Sequence, residues 1–169
     1  MVEIGFGTGL NAACYGEGVN EVLAVEPSDD MWQRAERRLE QARVPISRVV
    51  ADAEKLPFAD ASIDCAVSTF VLCSVASPRV VLEELARVLV PGGSLYLLEH
   101  VRHPGRITSK LQRAATPVWR VLFRGCHPGR DLAGELAGGP FVSVDAREVR
   151  LPWLPRILEE HLIGSFTRV

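Results

Sequence analysis

A glycine-rich turn near the start of the sequence has the residue types and spacing of a ligand-binding loop. The apolar stretch 2–4 runs directly into Gly5-Phe6-Gly7-Thr8-Gly9. Glycines at the end of a strand let the backbone adopt positive φ and approach a bulky ligand closely, although a tight turn made only for packing would need the same residues. The spacing is G-x-G-x-G, and Leu10 stands where a dinucleotide-binding fingerprint has its third glycine. We therefore expect a ligand other than a nicotinamide dinucleotide.

Two acidic residues follow the next two strand-like stretches. Glu26 ends the apolar run 22–25, and Asp52 ends the run 48–51. A carboxylate at the end of the second strand can accept hydrogen bonds from both hydroxyls of a ribose. One at the end of the third strand, beside apolar residues, suits the exocyclic amine of adenine. Either residue alone could be a solvated carboxylate, but together with the glycine turn they predict one nucleoside site.

These residues lie between stretches that alternate in strand and helix character. Ser28 or Asp29 and, later, Ser77 can cap helices whose apolar residues recur three and four positions apart. Pro91-Gly92-Gly93 is expected to end the second helix. The other predicted elements are strands over 63–69, 94–101, 142–151 and 161–169, a helix over 108–123 and a glycine-rich loop over 125–140. This alternation predicts a parallel sheet covered on both faces, in one domain over residues 1–169.

Three segments resemble the motifs of class I S-adenosylmethionine-dependent methyltransferases. They are residues 2–10, residues 52–58 with Asp64, and residues 85–93. The resemblance covers nearly the whole chain and implies an α/β fold with a doubly wound, Rossmann-like sheet of seven strands, the last of them antiparallel. It also implies an enzyme that transfers a methyl group from S-adenosylmethionine to a small-molecule nucleophile.

The resemblance further implies which residues bind the cofactor. The glycine turn would cradle the methionine part, Glu26 would hold the ribose, and Met31 would pack on the adenine. Asp52 with the Ala53 amide would bind the adenine edge, and Thr69 would lie near the sulfonium. The complete implied set is Glu3, Gly5, Gly7, Thr8, Gly9, Glu26, Met31, Asp52, Ala53 and Thr69.

The expected methyl acceptor is a thiol or a lipophilic metabolite. Residues 1–100 resemble the ubiquinone and menaquinone biosynthesis methyltransferases, while segments 98–101, 117–119, 125–126 and 161–164 are similar to the thiol methyltransferase-like branch. His100 is a candidate base that could deprotonate a thiol, or a structural histidine that hydrogen-bonds the next loop. Two alternative functions are a non-catalytic S-adenosylmethionine-binding fragment and a nicotinamide-dependent oxidoreductase.

The position of the glycine turn raises the question of a lid. Members of the family usually carry a few dozen residues before this turn, including a helix that covers the cofactor. Here the turn begins at Gly5, so the sequence is interpreted as N-terminally truncated. Either a longer protein has lost its lid, or a partner supplies the cover. An open site would lose the positioning and the exclusion of water that favour methyl transfer.

Charge and cysteine content limit the other classes of function. The 169 residues have a formal net charge of −2, which argues against general nucleic-acid binding. The four cysteines form no C-x-x-C pair and show no His/Cys spacing typical of zinc. We therefore expect a reduced, cytoplasmic protein without a metal.

A basic stretch in the second half of the chain contrasts with this small net charge. From His100 to Arg130 the chain has seven cationic residues and no acidic one. One helical face would hold Arg106, Lys110, Arg113, Arg120 and Arg124, and the opposite stripe Leu111, Ala115, Val118 and Leu122, with Trp119 and Phe123 at its edge. This helix near 106–124 could make peripheral contact with an anionic membrane, or pack through its apolar stripe and leave the basic face solvated. Pro117 is expected to kink or split it.

Overall fold

A computed structural model, which describes residues 1–122 and 125–169, is built around one mixed β-sheet. In this described part the strands are β1 (Val2–Ile4), β2 (Val22–Val25), β3 (Ile46–Val49), β4 (Ile63–Thr69), β5 (Leu89–His100), β6 (Phe141–Arg150) and β7 (Glu160–Arg168). They lie in the order β3-β2-β1-β4-β5-β7-β6. Strands β1 to β5 pair in parallel, and β7 is antiparallel to both β5 and β6. This topology confirms the doubly wound α/β fold with an antiparallel last strand.

The first two helices begin where capping serines predict them to begin. They are α1 (Asp29–Leu39), α2 (Pro78–Val88), α3 (Arg106–Leu122) and the short α4 (Leu132–Leu136). The Ser28 hydroxyl accepts from the Met31 N–H at 3.3 Å, and Ser77 caps α2 in the same way. The buried face of α2 packs on the sheet, with Leu82 and Leu85 in the main core beside Ile4. Burial of these apolar residues holds the helices against the sheet and so fixes the positions of the strand ends.

The prediction that Pro91-Gly92-Gly93 ends the second helix was wrong. Helix α2 ends at Val88, and β5 passes through the proline and both glycines. Leu89 is fully buried and pairs with Ile63 of β4, so the strand begins directly after the helix. A Cβ on Gly93 would lie 3.1 Å from the Asp64 carbonyl oxygen, which explains why this point of β5 needs a glycine.

Three smaller differences follow from strand pairing and local packing. Strand β3 lies two residues earlier than predicted, because its register with β2 places Val49 opposite Val25. Helix α4 interrupts the predicted glycine-rich loop, since Leu132 and Leu136 are buried on one side. Helix α3 continues through Pro117 and is not split there.

Candidate functional site

The glycine turn leaves β1 at the carboxyl edge of the sheet, between β2 and β4. Gly5, Gly7 and Gly9 all have positive φ, at 60°, 59° and 72°. Gly7 has open space on its side-chain side, where the nearest atom to an added Cβ would be a backbone oxygen at 3.7 Å. A Cβ on Gly9 would instead lie 3.1 Å from both Ala35 of α1 and the Phe6 ring. The turn therefore has one glycine that faces a ligand and another that packs against α1.

A cavity of about 540 Å³ opens beside this turn, at the carboxyl ends of β1, β2 and β3. Its lining includes six residues of the predicted cofactor set: Gly5, Gly7, Glu26, Met31, Asp52 and Ala53. Its opposite wall comes from the segment 70–76 that follows β4, through Phe70, Val71, Ser74, Val75 and Ala76. A cavity of this size, apolar with a few polar groups, is typical of small-molecule sites. The fold thus assembles the three predicted strand ends into one site.

Glu26 is the buried polar group of this cavity, with 6% of its surface exposed. One carboxylate oxygen accepts from the Gly7 N–H at 2.8 Å, and the other accepts from the Ser28 N–H at 2.8 Å. The side chain therefore joins the glycine turn to the start of α1. Each carboxylate oxygen can accept more than one hydrogen bond, so both can still accept from a ligand hydroxyl.

Glu3, Thr8, Gly9 and Thr69, four other members of the predicted set, lie behind the cavity lining. Glu3 is buried and accepts from the Asn11 amide at 2.8 Å and from the Tyr15 hydroxyl at 2.6 Å. The Asn11 amide also donates to the Thr69 hydroxyl at 3.0 Å, which links β1 to β4. Burial raises the pKa of Glu3 above its ordinary value. The Thr8 carbonyl oxygen accepts from the Arg38 guanidinium of α1 at 2.8 Å. These contacts make the four residues supports of the turn in this structure, and their contact with the cofactor stays a prediction.

Helix α2 holds the segment after β3 in place, through contacts that the sequence had not indicated. Asp52 begins a tight turn in which it accepts from the Glu54 N–H at 2.9 Å. The Arg87 guanidinium donates to two carbonyl oxygens of this segment, at residues 56 and 58, and pairs with Glu84 at 2.7 Å. Glu84 itself accepts from the Leu56 N–H at 2.7 Å, and its contacts with Arg87 lower the pKa of its carboxyl. Arg87 lies within a segment that carries the family resemblance, so its presence there was the available signal.

A buried acid also holds the wall formed by residues 70–76. Glu99 of β5 is fully buried and accepts from the Ser68 hydroxyl at 2.8 Å. It also accepts from the backbone N–H groups of residues 71, 72 and 73 at 2.8 to 3.1 Å. Burial raises the pKa of Glu99, while these four donors favour its ionised form. One side chain of β5 thus fixes the loop that lines the cavity and contacts the neighbouring His100.

His100 lies next to Phe70 of that wall, close to two cysteines. Its ring centroid is 4.7 Å from that of Phe70, which lines the cavity. Its Nδ1 is 3.9 Å from the Cys73 sulfur and 3.8 Å from the Cys126 sulfur. The contact between the two thiols raises the pKa of Cys73 and lowers that of Cys126. Spacings of 26 and 27 residues gave no sequence signal for this cluster, which three separate segments form.

Helix α3 exposes the apolar residues that the packing interpretation expects it to bury. Leu111, Val118 and Leu122 are 56%, 65% and 66% exposed. Gln112 is fully buried instead, and its side-chain amide bonds to the backbone of residues 103, 128 and 157. The predicted members Phe123 and Arg124 lie outside the described residues. In the part of the chain that the structure describes, no helix is long and apolar enough to cross a bilayer.

Comparison with known proteins connects this geometry to a family. Residues 2–97 match the family model of a methyltransferase domain. Over 171 residues the chain is 37% identical to thiol S-methyltransferase TMT1B of Rattus norvegicus, covering 98% of this chain and 69% of that protein. It is 34% identical over 123 residues to the demethylmenaquinone methyltransferase of Paenarthrobacter aurescens, covering 73% and 43%. The chain belongs to the methyltransferase domain family.

The fold comparison agrees with this assignment. A crystal structure of an S-adenosylmethionine-dependent methyltransferase from Methanosarcina mazei superposes with a TM-score of 0.72 at 21% identity, covering 99% of this chain and 91% of that one. The chain is therefore an S-adenosylmethionine-dependent methyltransferase that acts on a small molecule. Its cavity fits that cofactor, because Gly7 leaves room for it and Glu26 offers acceptor oxygens. The nicotinamide alternative is not supported.

Proposed function

We propose that this methyltransferase acts on the sulfur of a small lipophilic thiol. The observation that carries the proposal is the position of His100 and two cysteines next to Phe70, which lines the cofactor cavity. The sequence similarity to thiol S-methyltransferase TMT1B, which extends over 98% of the chain, supports the same class of acceptor. We place the acceptor inside the cavity, against Phe70, whose ring contacts His100.

In this proposal the cavity residues orient the cofactor. Gly5 and Gly7 contact its methionine part, and the Glu26 carboxylate accepts from its ribose hydroxyls. Met31 packs on the adenine, while Asp52 and the Ala53 N–H bind the edge of the ring. Glu3, Thr8, Gly9 and Thr69 then shape the turn from behind, as their contacts with Asn11 and α1 support.

The bound cofactor supplies a methyl carbon made electrophilic by the neighbouring sulfonium. The protein therefore contributes position, water exclusion and an activated acceptor. Phe70, Val71 and Val75 give the cavity an apolar wall on the acceptor side. Glu99 holds this wall through the backbone of residues 71–73, so a buried side chain fixes the surface against which the acceptor packs.

A substrate comparison tests the acceptor directly. Purified protein is incubated with methyl-labelled cofactor and an alkyl thiol, the alcohol of the same carbon skeleton, or a lipophilic hydroquinone. We expect label in the thioether alone. Methylation of the hydroquinone but not the thiol would replace the proposal with the quinone-type acceptor that the menaquinone relative supports. Calorimetry should show binding of the cofactor or its demethylated product and none of NAD. Binding without any product would favour the non-catalytic alternative.

We further propose that α3 lies on an anionic membrane surface, from which a lipophilic acceptor would enter. Its exposed apolar side includes Ile107, Leu111, Val118, Val121 and Leu122. Its basic residues Arg106, Lys110, Arg113 and Arg120 are exposed as well. A helix with both features binds at the headgroup boundary through apolar insertion and electrostatic attraction. The buried Gln112 anchors the helix to the protein while these residues face outward.

Vesicle sedimentation tests this contact. Wild type should bind phosphatidylcholine vesicles that contain phosphatidylserine, less at high salt, and the double variant Leu111→Ser/Leu122→Ser should lose binding. The free energy of unfolding should change by only about 0.5 kcal/mol, because both residues are exposed. The matched control is Val142→Ser/Val144→Ser on the exposed face of β6. Equal binding by both double variants would contradict the proposal.

A further inference from the structure

Three soft or borderline metal ligands meet beside the cofactor cavity. The sulfur atoms of Cys73 and Cys126 are 3.8 Å apart, and His100 Nδ1 lies 3.9 Å from the first and 3.8 Å from the second. Tetrahedral zinc bonds sulfur at about 2.3 Å and nitrogen at about 2.0–2.1 Å, which separates two sulfur ligands by about 3.8 Å and sulfur from nitrogen by about 3.6 Å. The three donor atoms therefore already form one face of such a tetrahedron.

The backbone around Cys73 is fixed by buried hydrogen bonds. Its N–H donates to Glu99 at 3.1 Å, and its carbonyl oxygen accepts from the His127 N–H at 2.8 Å. The Arg130 guanidinium donates to the carbonyl oxygens of Leu72 and Val75 on either side. The segment that carries Cys126 is therefore bound to the segment that carries Cys73 without any contribution from the thiols.

Gly125 permits the close approach that places Cys126. Its φ is +94°, and an added Cβ would lie 2.7 Å from the Ser74 carbonyl oxygen. A larger residue would have to move the 125–131 loop away from residues 73–74. The glycine thus sets the sulfur-to-sulfur distance through the backbone, and Cys126 is 6% exposed as a result.

The His100 ring is held by aromatic contacts. The ring centroids of Phe70 and His161 each lie 4.7 Å from that of His100. The Phe70 and His161 centroids are 5.7 Å apart. This packing orients Nδ1 toward both sulfurs. The three ligand residues are thus preorganised before any ion binds, as a metal site requires.

A second group of potential ligands differs in its surroundings. His103, Glu159 and Glu160 also lie close together, but the Arg150 guanidinium pairs with Glu159 at 2.8 Å. The Glu159 carboxylate thus already has a cationic partner, and the carboxylate oxygens of this group are harder ligands than thiols. Of the two groups in the described residues, the cysteine-containing one has the chemistry of a zinc site.

We propose that Cys73, His100 and Cys126 bind one Zn²⁺ ion, whose fourth position takes the sulfur of the acceptor thiol. Three protein ligands with one open position are typical of catalytic zinc sites, whereas structural sites have four. The metal site stands on the geometry above; its role in acceptor binding rests on the proposed thiol specificity. It departs from the expectation of no metal, which depended on spacing along the chain.

The site lies where it could present a thiol to the cofactor. Phe70 and Ser74 line the cavity, and each contacts a ligand residue, with the Ser74 hydroxyl 3.5 Å from the Cys73 sulfur. On coordination the acceptor thiol would release its proton to solvent and bind as thiolate. Its sulfur would then form the new bond to the methyl carbon. The bond from that carbon to the sulfonium sulfur would break, leaving its electron pair on a neutral thioether, with no oxidant or reductant needed.

Metal binding by the reduced, full chain is the first test. Zn²⁺ titrated against a chromophoric chelator should bind with one ion per chain, and Co²⁺ should give the visible bands of a tetrahedral site together with thiolate-to-metal charge transfer. Cys73→Ser, Cys126→Ser and His100→Gln should each weaken binding by more than about a hundredfold, since even supporting residues of metal sites contribute ten- to a hundredfold. Cys14→Ser, an exposed cysteine elsewhere, should bind as wild type does.

Addition of the alkyl thiol to the Co²⁺ protein tests the fourth position. We expect a new charge-transfer contribution that the matched alcohol does not produce. His100→Gln should leave cofactor affinity unchanged by calorimetry, because the residue lies outside the cofactor cavity lining.

The outcomes separate the two proposals. Failure of the reduced wild type and of Cys14→Ser to bind either ion would overturn the metal site. Undiminished thiol methylation by that metal-free protein would leave the proposed function intact. Stoichiometric metal with no spectral change on adding thiol would overturn the acceptor role alone.

Discussion

The cofactor cavity and the His100 cluster are neighbours along the segment 70–76 and are built in different ways. The cavity uses the ends of successive parallel strands, with the glycine turn after β1 at its centre. The cluster uses side chains from β5, from the segment after β4 and from the loop before α4. A binding surface made from the ends of successive strands can be predicted from the fold class and a short motif. A surface made from side chains of distant segments depends on how those segments pack.

The largest expected effect comes from Glu99, which supports both sites through the wall. Glu99→Ala leaves four buried donors without their acceptor, each costing about 1–3 kcal/mol, so the free energy of unfolding should fall by several kcal/mol. Urea unfolding monitored by circular dichroism measures this change. Glu99→Gln keeps one acceptor oxygen and should lose less. Equal stability of wild type and Glu99→Ala would show that the wall does not depend on Glu99.

A smaller effect, confined to the cofactor cavity, is expected at Glu26. Glu26→Ala should weaken cofactor binding by about 1–3 kcal/mol, because a carboxylate that accepts charge-assisted hydrogen bonds is lost. Calorimetry with the demethylated cofactor measures this affinity, and Zn²⁺ affinity should stay at its wild-type value. Glu17→Ala, at an exposed acid, is the control. A parallel loss of zinc binding would mean that the two sites are not independent.

The smallest expected effect is a pH dependence from Glu84. Its pKa is lowered from 4.5 by contact with Arg87, so its contribution to stability is present above pH 4.5 and is lost as the pH falls through the lowered pKa. Glu84→Gln should therefore lose less stability than wild type when urea unfolding at pH 7 is compared with unfolding at about pH 3.5. Glu83→Gln alters an exposed neighbouring acid and should follow wild type. Identical acid sensitivity in both variants would remove Glu84 from the account.

The sequence predicts the first hundred residues well and the remainder less well. Helix caps at Ser28 and Ser77 and the apolar strands β2 and β4 lie where local patterns place them. Pro91-Gly92-Gly93 was misassigned because a proline and two glycines normally end a helix, whereas here the pairing of Leu89 with Ile63 continues the strand. One of the two interpretations of α3 had it pack through an apolar stripe, and the fold buries Gln112 instead.

The sequence by itself determined the alternation of elements, the glycine turn and the acidic residues at the strand ends, because these depend on neighbours within a few positions and on the fixed direction of parallel strands. Only the tertiary structure decided that Glu99 holds the 70–76 wall, that Arg87 holds the segment after β3, and that Cys73, His100 and Cys126 meet. Those contacts join residues 26 to 31 positions apart, or more than 50 for the two cysteines. No local pattern records such a distance, because it is set by the packing of separate segments on a common sheet.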